Sequence, residues 1–270
     1  MAGLVDYAGK TAVVTGASSG IGAEFGRQLA RRSARVALVA RRRDRLEQVA
    51  SEIAKAGGTS SVHVCDVSQR AAVEATCRDV VQKWGGVDLL INNAGYGRHI
   101  LVKDQDVDDI ERMMQTNYLG AVYWMKNVLP IMRARGRGWM VNISSLAGAV
   151  PQPDEAAYSA TKFALTALSE ALAYEVAPHG IHVMVVHPAL VRTEMFTPEI
   201  MARLPRAAAS NFIEPDAFVA ATLRALGRGE TSIIIPRRFR AITLLRALSP
   251  RLIGGALARI KLRAVPDVMR

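Results

Sequence analysis

Short strand-like runs, most of them rich in apolar residues, at 11–15, 35–40, 60–65, 87–91, 139–143, 181–187 and 231–236 alternate with longer stretches whose apolar residues recur at helical spacing. No other feature constrains the fold as much. Strands joined through intervening helices pair in parallel, and a parallel sheet must be covered on both faces. The reading is therefore α/β, a single doubly wound parallel sheet of about seven strands with helices on both faces. Helices are expected at 44–56, 69–84, 107–135, 155–178 and 215–226, besides one that follows the first strand through Ala30. Asp44 is the expected N-cap of the second helix. No repeat or linker divides the chain, and 270 residues, half of them hydrophobic, suffice to bury one core.

The first strand runs into Thr15-Gly16-Ala17-Ser18-Ser19-Gly20-Ile21-Gly22 and then a helix. A glycine-dense turn there lets backbone N–H groups approach a pyrophosphate at the positive helix end. The generic dinucleotide pattern G-x-G-x-x-G is absent, because Phe25 stands where the third glycine belongs. The second strand ends at Ala40, followed by Arg41, Arg42 and Arg43. An acidic residue at this point would accept bonds from the adenosine ribose hydroxyls and favour NAD. Guanidinium groups instead pair with a 2′-phosphate, so the sequence favours NADP(H), with Arg41 and Arg42 as phosphate ligands and at least one of the three arginines simply solvated.

Tyr158 and Lys162 are four residues apart in a helical stretch and share one face. An ammonium beside a phenol favours the phenolate and lowers a pKa that is ordinarily about 10, which fits the tyrosine for proton transfer. The fifth strand delivers Ser144-Ser145 at its carboxyl end, where such sheets place their chemistry. Asn92-Asn93-Ala94-Gly95 follows the fourth strand, with small and amide side chains that permit close approach of a ligand.

The order Thr15-Gly16-x-x-x-Gly20-x-Gly22, Asn92 to Gly95, Asn117, Ser145, Tyr158 and Lys162 resembles that of the short-chain dehydrogenases/reductases, from about Lys10 to Pro236. The resemblance implies a Rossmann-type catalytic domain over 1–236. In such a domain Tyr158 passes the proton, Ser145 stabilises the developing alkoxide, and Lys162 favours the phenolate and fixes the nicotinamide ribose. Ser145 is chosen over Ser144 because it lies thirteen positions before Tyr158, the family's separation. Asn117 would anchor the link that holds the lysine, or be an ordinary helix amide. Cofactor contacts fall to Gly16, Ser18, Ser19, Gly20, Ile21 and Gly22, to Asp66 and Val67 against the adenine, and to Asn93, Ala94 and Gly95. Pro188, Val191 and Thr193 complete that set, with Thr193 on the nicotinamide carboxamide. Ala189 departs from the family's usual glycine.

The resemblance also implies a substrate lid over 189–214. Its Met195, Phe196, Ile200, Met201 and Leu204 either greet an apolar substrate or pack the lid down. The expected activity is NADP(H)-dependent interconversion of a carbonyl and a secondary alcohol, on a 3-oxoacyl group or ketone of lipid-like character, by a homodimer or homotetramer. A catalytically silent NADP(H)-sensing protein and a membrane-surface scaffold are the alternatives.

The formal charge is +11, but residues 237–270 hold nine basic residues against one acid, Asp267, so this tail carries +8 and the rest only +3. Its Ile242, Leu245, Leu248, Ile253, Leu257, Ile260 and Ala264 fall at helical spacing, with Arg251, Arg259 and Arg263 on another face. Such a basic amphipathic extension lies on an anionic bilayer or packs on its own or a neighbouring subunit. Nucleic acid is not an expected partner, because no recognition motif accompanies the charge. Two cysteines, Cys65 and Cys77, make no disulfide framework, and nothing like a secretory signal precedes the first strand, so a cytoplasmic setting is expected, with peripheral membrane contact open to the tail. No apolar run approaches the eighteen or so residues of a bilayer span. His179, His182 and His187 lack ligand spacing, and no metal site is expected.

Overall fold

The fold is built outward from a strand, β1 (Thr11–Thr15), whose five residues are all buried. A computed structural model describes residues 6–203 and 211–262. β1 pairs in parallel with β2 (Arg35–Ala40) on one side and β4 (Leu89–Asn92) on the other. The sheet has seven parallel strands in the order β3-β2-β1-β4-β5-β6-β7, with β3 at Thr59–Val64, β5 at Gly138–Ile143, β6 at Ile181–Pro188 and β7 at Ser232–Ile235. The strand order reverses between β1 and β4, and ligands of such sheets bind in the crevice outside the strand carboxyl ends at that point.

One apolar layer packs α1 (Gly20–Ala30), α2 (Arg43–Lys55) and α8 (Pro215–Gly227) against the sheet through Phe25, Leu29, Leu46 and Phe218. The opposite layer packs α3 (Arg70–Trp84), α5 (Gly120–Arg135) and α6 (Ala156–Val176) through Val80, Trp124, Val128 and Leu165. α2 begins at Arg43 and its cap position is Arg42, so Asp44 is not the N-cap; it sits in the first turn, where its charge meets the positive helix end.

The expected single helix over 107–135 is α4 (Val107–Met114) and α5 joined by a π-helical segment, Gln115–Leu119. That wider turn carries Asn117, 1% exposed. In the lid region, α7 (Pro198–Arg203) follows Phe196, which packs edge-on against Phe212 at 4.8 Å between ring centroids. Arg192 lies 5.2 Å from the same Phe212 ring and pairs with Glu214 at 2.8 Å, so this part of the lid is held by its own side chains. Leu204 lies outside the described residues.

The tail forms two helices, α9 (Arg240–Leu248) and α10 (Pro250–Leu262), because a proline cannot continue α9 but serves as the first residue of the next helix. The single apolar stripe expected from spacing does not form: Leu245 and Leu248 are exposed, while Ile242, Ile253 and Leu257 are partly covered. Arg263 and Ala264 fall outside the described residues. No helix among the described residues is long and apolar enough to cross a membrane.

Candidate active site

The turn after β1 is cut to the shape of a ligand that approaches backbone. Gly16 and Gly20 adopt φ of +66° and +52°, in the region that favours glycine. A side chain at Gly16 would lie 2.8 Å from Asn93 Nδ2, and one at Gly22 would collide with the Gly16 carbonyl oxygen. Asn93 keeps this turn in place by donating from Nδ2 to the Thr15 carbonyl at 3.0 Å, while the Thr15 hydroxyl accepts from the backbone N–H groups of Asn93 and Ala94 at 2.9 and 3.0 Å. The first turn of α1 has no side-chain cap. An uncapped helix start over a glycine cradle fits a pyrophosphate. Ile21 packs partly buried beside the core, and Thr193 closes over Gly20, its methyl 3.1 Å from where a side chain there would stand.

Of the three arginines after β2, Arg42 reaches back to this turn. Its Nη2 donates to Ser19 Oγ at 2.9 Å and Ser18 Oγ at 3.2 Å, and it pairs with Glu194 at 3.3 Å. Two hydroxyls and an exposed guanidinium meet an anion here, with Glu194 as the present counter-charge. Arg43 pairs with Glu47 on its own helix at 3.5 Å, and Arg41 is exposed. Asp66 closes β3 as an Asx turn, accepting from the Ser68 N–H at 3.0 Å and hydroxyl at 2.8 Å, while Val67 packs against Gly120 of α5. Pro188 ends β6, and Val191 is buried and bridges to Ile213.

Across the crevice, Tyr158 and Lys162 project from α6 into the interior, 8% and 4% exposed. The Tyr158 ring lies over Gly97, where an added side chain would stand 3.2 Å away. Lys162 Nζ donates to the Ile143 carbonyl at 2.9 Å and lies 5.7 Å from the Tyr158 ring centroid. Burial lowers the lysine's pKa to about 8. The phenol behaves otherwise than its spacing from Lys162 predicts. Burial pushes the Tyr158 pKa well above its ordinary value, a hydrogen bond with the Ser145 side chain pulls it down, and Glu155 pushes it up. Desolvation outweighs the cation here, because Lys162 directs its charge at a carbonyl.

Ser145 and Ser144 face different tasks. Ser145 sits beside the phenol and also accepts from the Ala147 N–H at 3.1 Å. Ser144 turns to the Lys162 carbonyl at 3.0 Å and Thr166 Oγ1 at 2.9 Å, tying α6 to β5. Asn117 is not bonded within its own helix: Nδ2 donates to the Tyr96 carbonyl at 2.8 Å and Thr161 Oγ1 at 3.1 Å, and Oδ1 accepts from the Tyr96 N–H at 2.9 Å. It thereby ties the chain after Gly95 to the residue preceding Lys162. Gly95 lies against both groups: a side chain there would be 3.0 Å from Asn117 Oδ1 and 3.4 Å from Lys162 Nζ.

Several of the site's contacts carry no sequence signal. His187 faces the Ser145 carbonyl through Nδ1 at 3.0 Å, and burial lowers its pKa, so it is neutral near pH 7. Asn92 donates to Asn142 Oδ1 at 2.9 Å and Asn142 donates to Ser169 Oγ at 2.8 Å, a buried polar chain linking β4, β5 and α6. His99 sets Nδ1 3.1 Å from Asp154 and Nε2 3.2 Å from Glu155, joining the loop after β4 to the start of α6. Among the described residues these three form the one cluster of metal-ligand types, with both ring nitrogens already turned to carboxylates.

Comparison with known proteins bears on the fold and the family. An uncharacterized oxidoreductase of Mycobacterium tuberculosis is 41% identical over 195 residues, which cover 70% of this chain and 57% of that relative. A fatty acyl-CoA reductase of the same organism is 34% identical over 260 residues, 94% of this chain and 86% of the relative. A metagenomic short-chain oxidoreductase crystallised with NADP superposes with a TM-score of 0.74 at 32% identity, covering 86% of this chain and 98% of that one. A short-chain dehydrogenase/reductase from Burkholderia phymatum crystallised with NAD superposes with a TM-score of 0.85 at 25% identity, covering 92% and 96%. Residues 10–203 match the short chain dehydrogenase family, and the chain is a member of that oxidoreductase family.

Proposed function

We propose that this protein is an NADP(H)-dependent reductase that interconverts a carbonyl and a secondary alcohol on an apolar, lipid-like substrate. The observation that carries the reading is the buried phenol of Tyr158, hydrogen-bonded to Ser145 one helical turn from Lys162. The residues of the glycine turn fit a pyrophosphate, and Arg42 with Ser18 and Ser19 fits a 2′-phosphate. NADPH held there would supply the hydride to the carbonyl carbon. Ser145 donates a hydrogen bond to the carbonyl oxygen, and Tyr158 hands that oxygen a proton as negative charge develops on it.

A raised phenol pKa suits this direction. The tyrosine keeps its proton near neutral pH, while an alkoxide is basic enough to take it, so reduction needs no preformed phenolate. Lys162 holds the nicotinamide ribose and steadies the charge left on Tyr158 after transfer. Asn117 keeps Gly95, Thr161 and therefore Lys162 in register. Asp66 and Val67 receive the adenine, and Pro188, Val191 and Thr193 the nicotinamide end. In this reading residues 1–236 form the catalytic domain and 237–270 an extension, the protein works in the cytoplasm, and it assembles as a homodimer or homotetramer.

For the substrate, the fatty acyl-CoA reductase among the relatives and the partly exposed Met195 of the lid support a long apolar portion. NADPH oxidation across a series of 3-oxoacyl thioesters and simple ketones of increasing chain length tests the reading. A steep rise of kcat/KM with length is expected; no oxidation with any member would overturn it.

A further inference from the structure

The described part of the tail is a surface of one charge sign with an apolar crest. From Arg237 to Leu262 the sequence contains no acidic residue and seven basic ones. Three of these are used to fasten the tail to the body. Arg237 pairs with Glu230 at 2.6 Å, and Arg238 donates to Asn211 Oδ1 at 2.7 Å. Arg246 donates to the Ala149 carbonyl at 2.7 Å and lies 5.3 Å from the Phe163 ring on α6. Arg240, Arg251 and Arg259 are exposed and pair with no carboxylate among the described residues.

Leucines stand in water beside them. Leu244, Leu245, Leu248 and Leu252 are 58%, 54%, 84% and 73% exposed, four of the nine large apolar side chains exposed among the described residues. Arg240, Leu244 and Leu248 follow at one-turn steps along α9, and Leu252 and Arg259 lie two turns apart on one face of α10. A concentration of exposed leucine is costly in water and marks a contact surface.

We propose that this helical pair docks the protein on an anionic lipid bilayer. Charge complementarity chooses this occupant. The three unpaired guanidinium groups meet lipid phosphates, and the leucines between them enter the acyl boundary just below. A second copy of the chain fits poorly, because a two-fold contact sets the same patch against itself and brings like charges together. A nucleic acid would satisfy the arginines and leave the leucines in water. Because Arg246 clamps α9 to Ala149 and to the helix that carries Tyr158, docking holds the body of the protein at the lipid surface. The inference rests on the tail alone and stands whether or not the protein is a reductase.

The test is co-sedimentation of the full chain with vesicles of phosphatidylcholine alone and of phosphatidylcholine with phosphatidylglycerol, at low and high salt. Pelleting with the anionic vesicles only, weakened by salt, is expected. The triple variant Arg240→Gln, Arg251→Gln, Arg259→Gln should bind on the order of a hundredfold more weakly, since each arginine near such a surface contributes roughly fivefold. The triple variant Leu244→Ser, Leu248→Ser, Leu252→Ser, changed only at exposed positions, should also release the vesicles while keeping the parent's melting temperature. Equal pelleting with neutral and anionic vesicles, or no pelleting with either, would overturn the proposal. So would loss of self-association in the leucine variant with vesicle binding unchanged, which would assign the leucines to a second copy. If a variant does not fold, the parent chain's response to vesicle charge and salt decides alone.

Discussion

Lys162 Nζ donates to the main-chain carbonyl of Ile143 at 2.9 Å, so α6 is pinned to the end of β5 by the same ammonium that stands 5.7 Å from the Tyr158 ring centroid. A buried cation held by one carbonyl is under-solvated, which explains its pKa of about 8. Between about pH 8 and the ordinary lysine range the unfolded chain binds more protons than the folded one, so stability rises with pH across that window. Below it the desolvation cost is fully present. The stability difference between the cofactor-free parent and Lys162→Met is expected to move in the parent's favour by on the order of 3 kcal/mol from pH 7 to pH 11. Chemical denaturation at a series of pH values measures this, and a pH-independent difference would show that the lysine is not desolvated.

Turnover is expected to have the opposite slope. In the proposed mechanism Tyr158 keeps its proton through the neutral range, so the group that titrates is Lys162, whose charge steadies the developing phenolate. The kcat/KM for reduction is therefore expected to be level below pH 7 and to fall as pH climbs through about 8. A rate that instead rises through that pH would assign the titration to a general base.

Arg42 links the glycine turn to the lid. Its guanidinium bonds Ser18, Ser19 and Glu194, and a 2′-phosphate would take the place of the Glu194 carboxylate. Arg42→Ala should weaken NADPH binding roughly ten- to a hundredfold, the loss of charge-assisted hydrogen bonds, with NADH binding little changed. Glu194→Gln, which removes the competing charge, should tighten NADPH binding. Fluorescence titration of both nucleotides reads both effects. An unchanged NADPH to NADH ratio in Arg42→Ala would place the phosphate elsewhere.

Asn117 is the joint between the loop after β4 and α6. Asn117→Ala leaves the Tyr96 N–H and carbonyl without their side-chain partner inside the protein, which costs about 1 to 3 kcal/mol. Asn117→Asp keeps the size but replaces the donor to the Tyr96 carbonyl with an acceptor. Both variants should unfold at lower denaturant than the parent. An unchanged midpoint for both would remove the joint.

The seven strands were legible because most of them are buried, largely apolar runs, whereas their order in the sheet depends on pairing between distant segments that no local run reports; the Gly16 to Gly22 turn was legible because few other residues fit where a side chain would strike Asn93 or the Gly16 carbonyl. Tyr158 and Lys162 were legible as neighbours by helical spacing, and Ser145 joined them only through the family resemblance. Where the Lys162 nitrogen points was not, since that depends on a carbonyl nineteen residues away on another element. The π segment that places Asn117 is a matter of hydrogen-bond register that apolar periodicity does not report. Glu194 on Arg42 and the His99 bridge join residues from distant loops and leave no local pattern.

The most direct test of the account is Tyr158→Phe, which removes only the oxygen from a ring packed on Gly97. NADPH-dependent reduction is expected to fall by roughly 10² to 10⁴ fold, the contribution of a positioned general acid, while the dissociation constant for NADPH stays close to the parent's. A variant that binds NADPH normally and retains most of its turnover would contradict the assignment of the proton to Tyr158, and with it the mechanism.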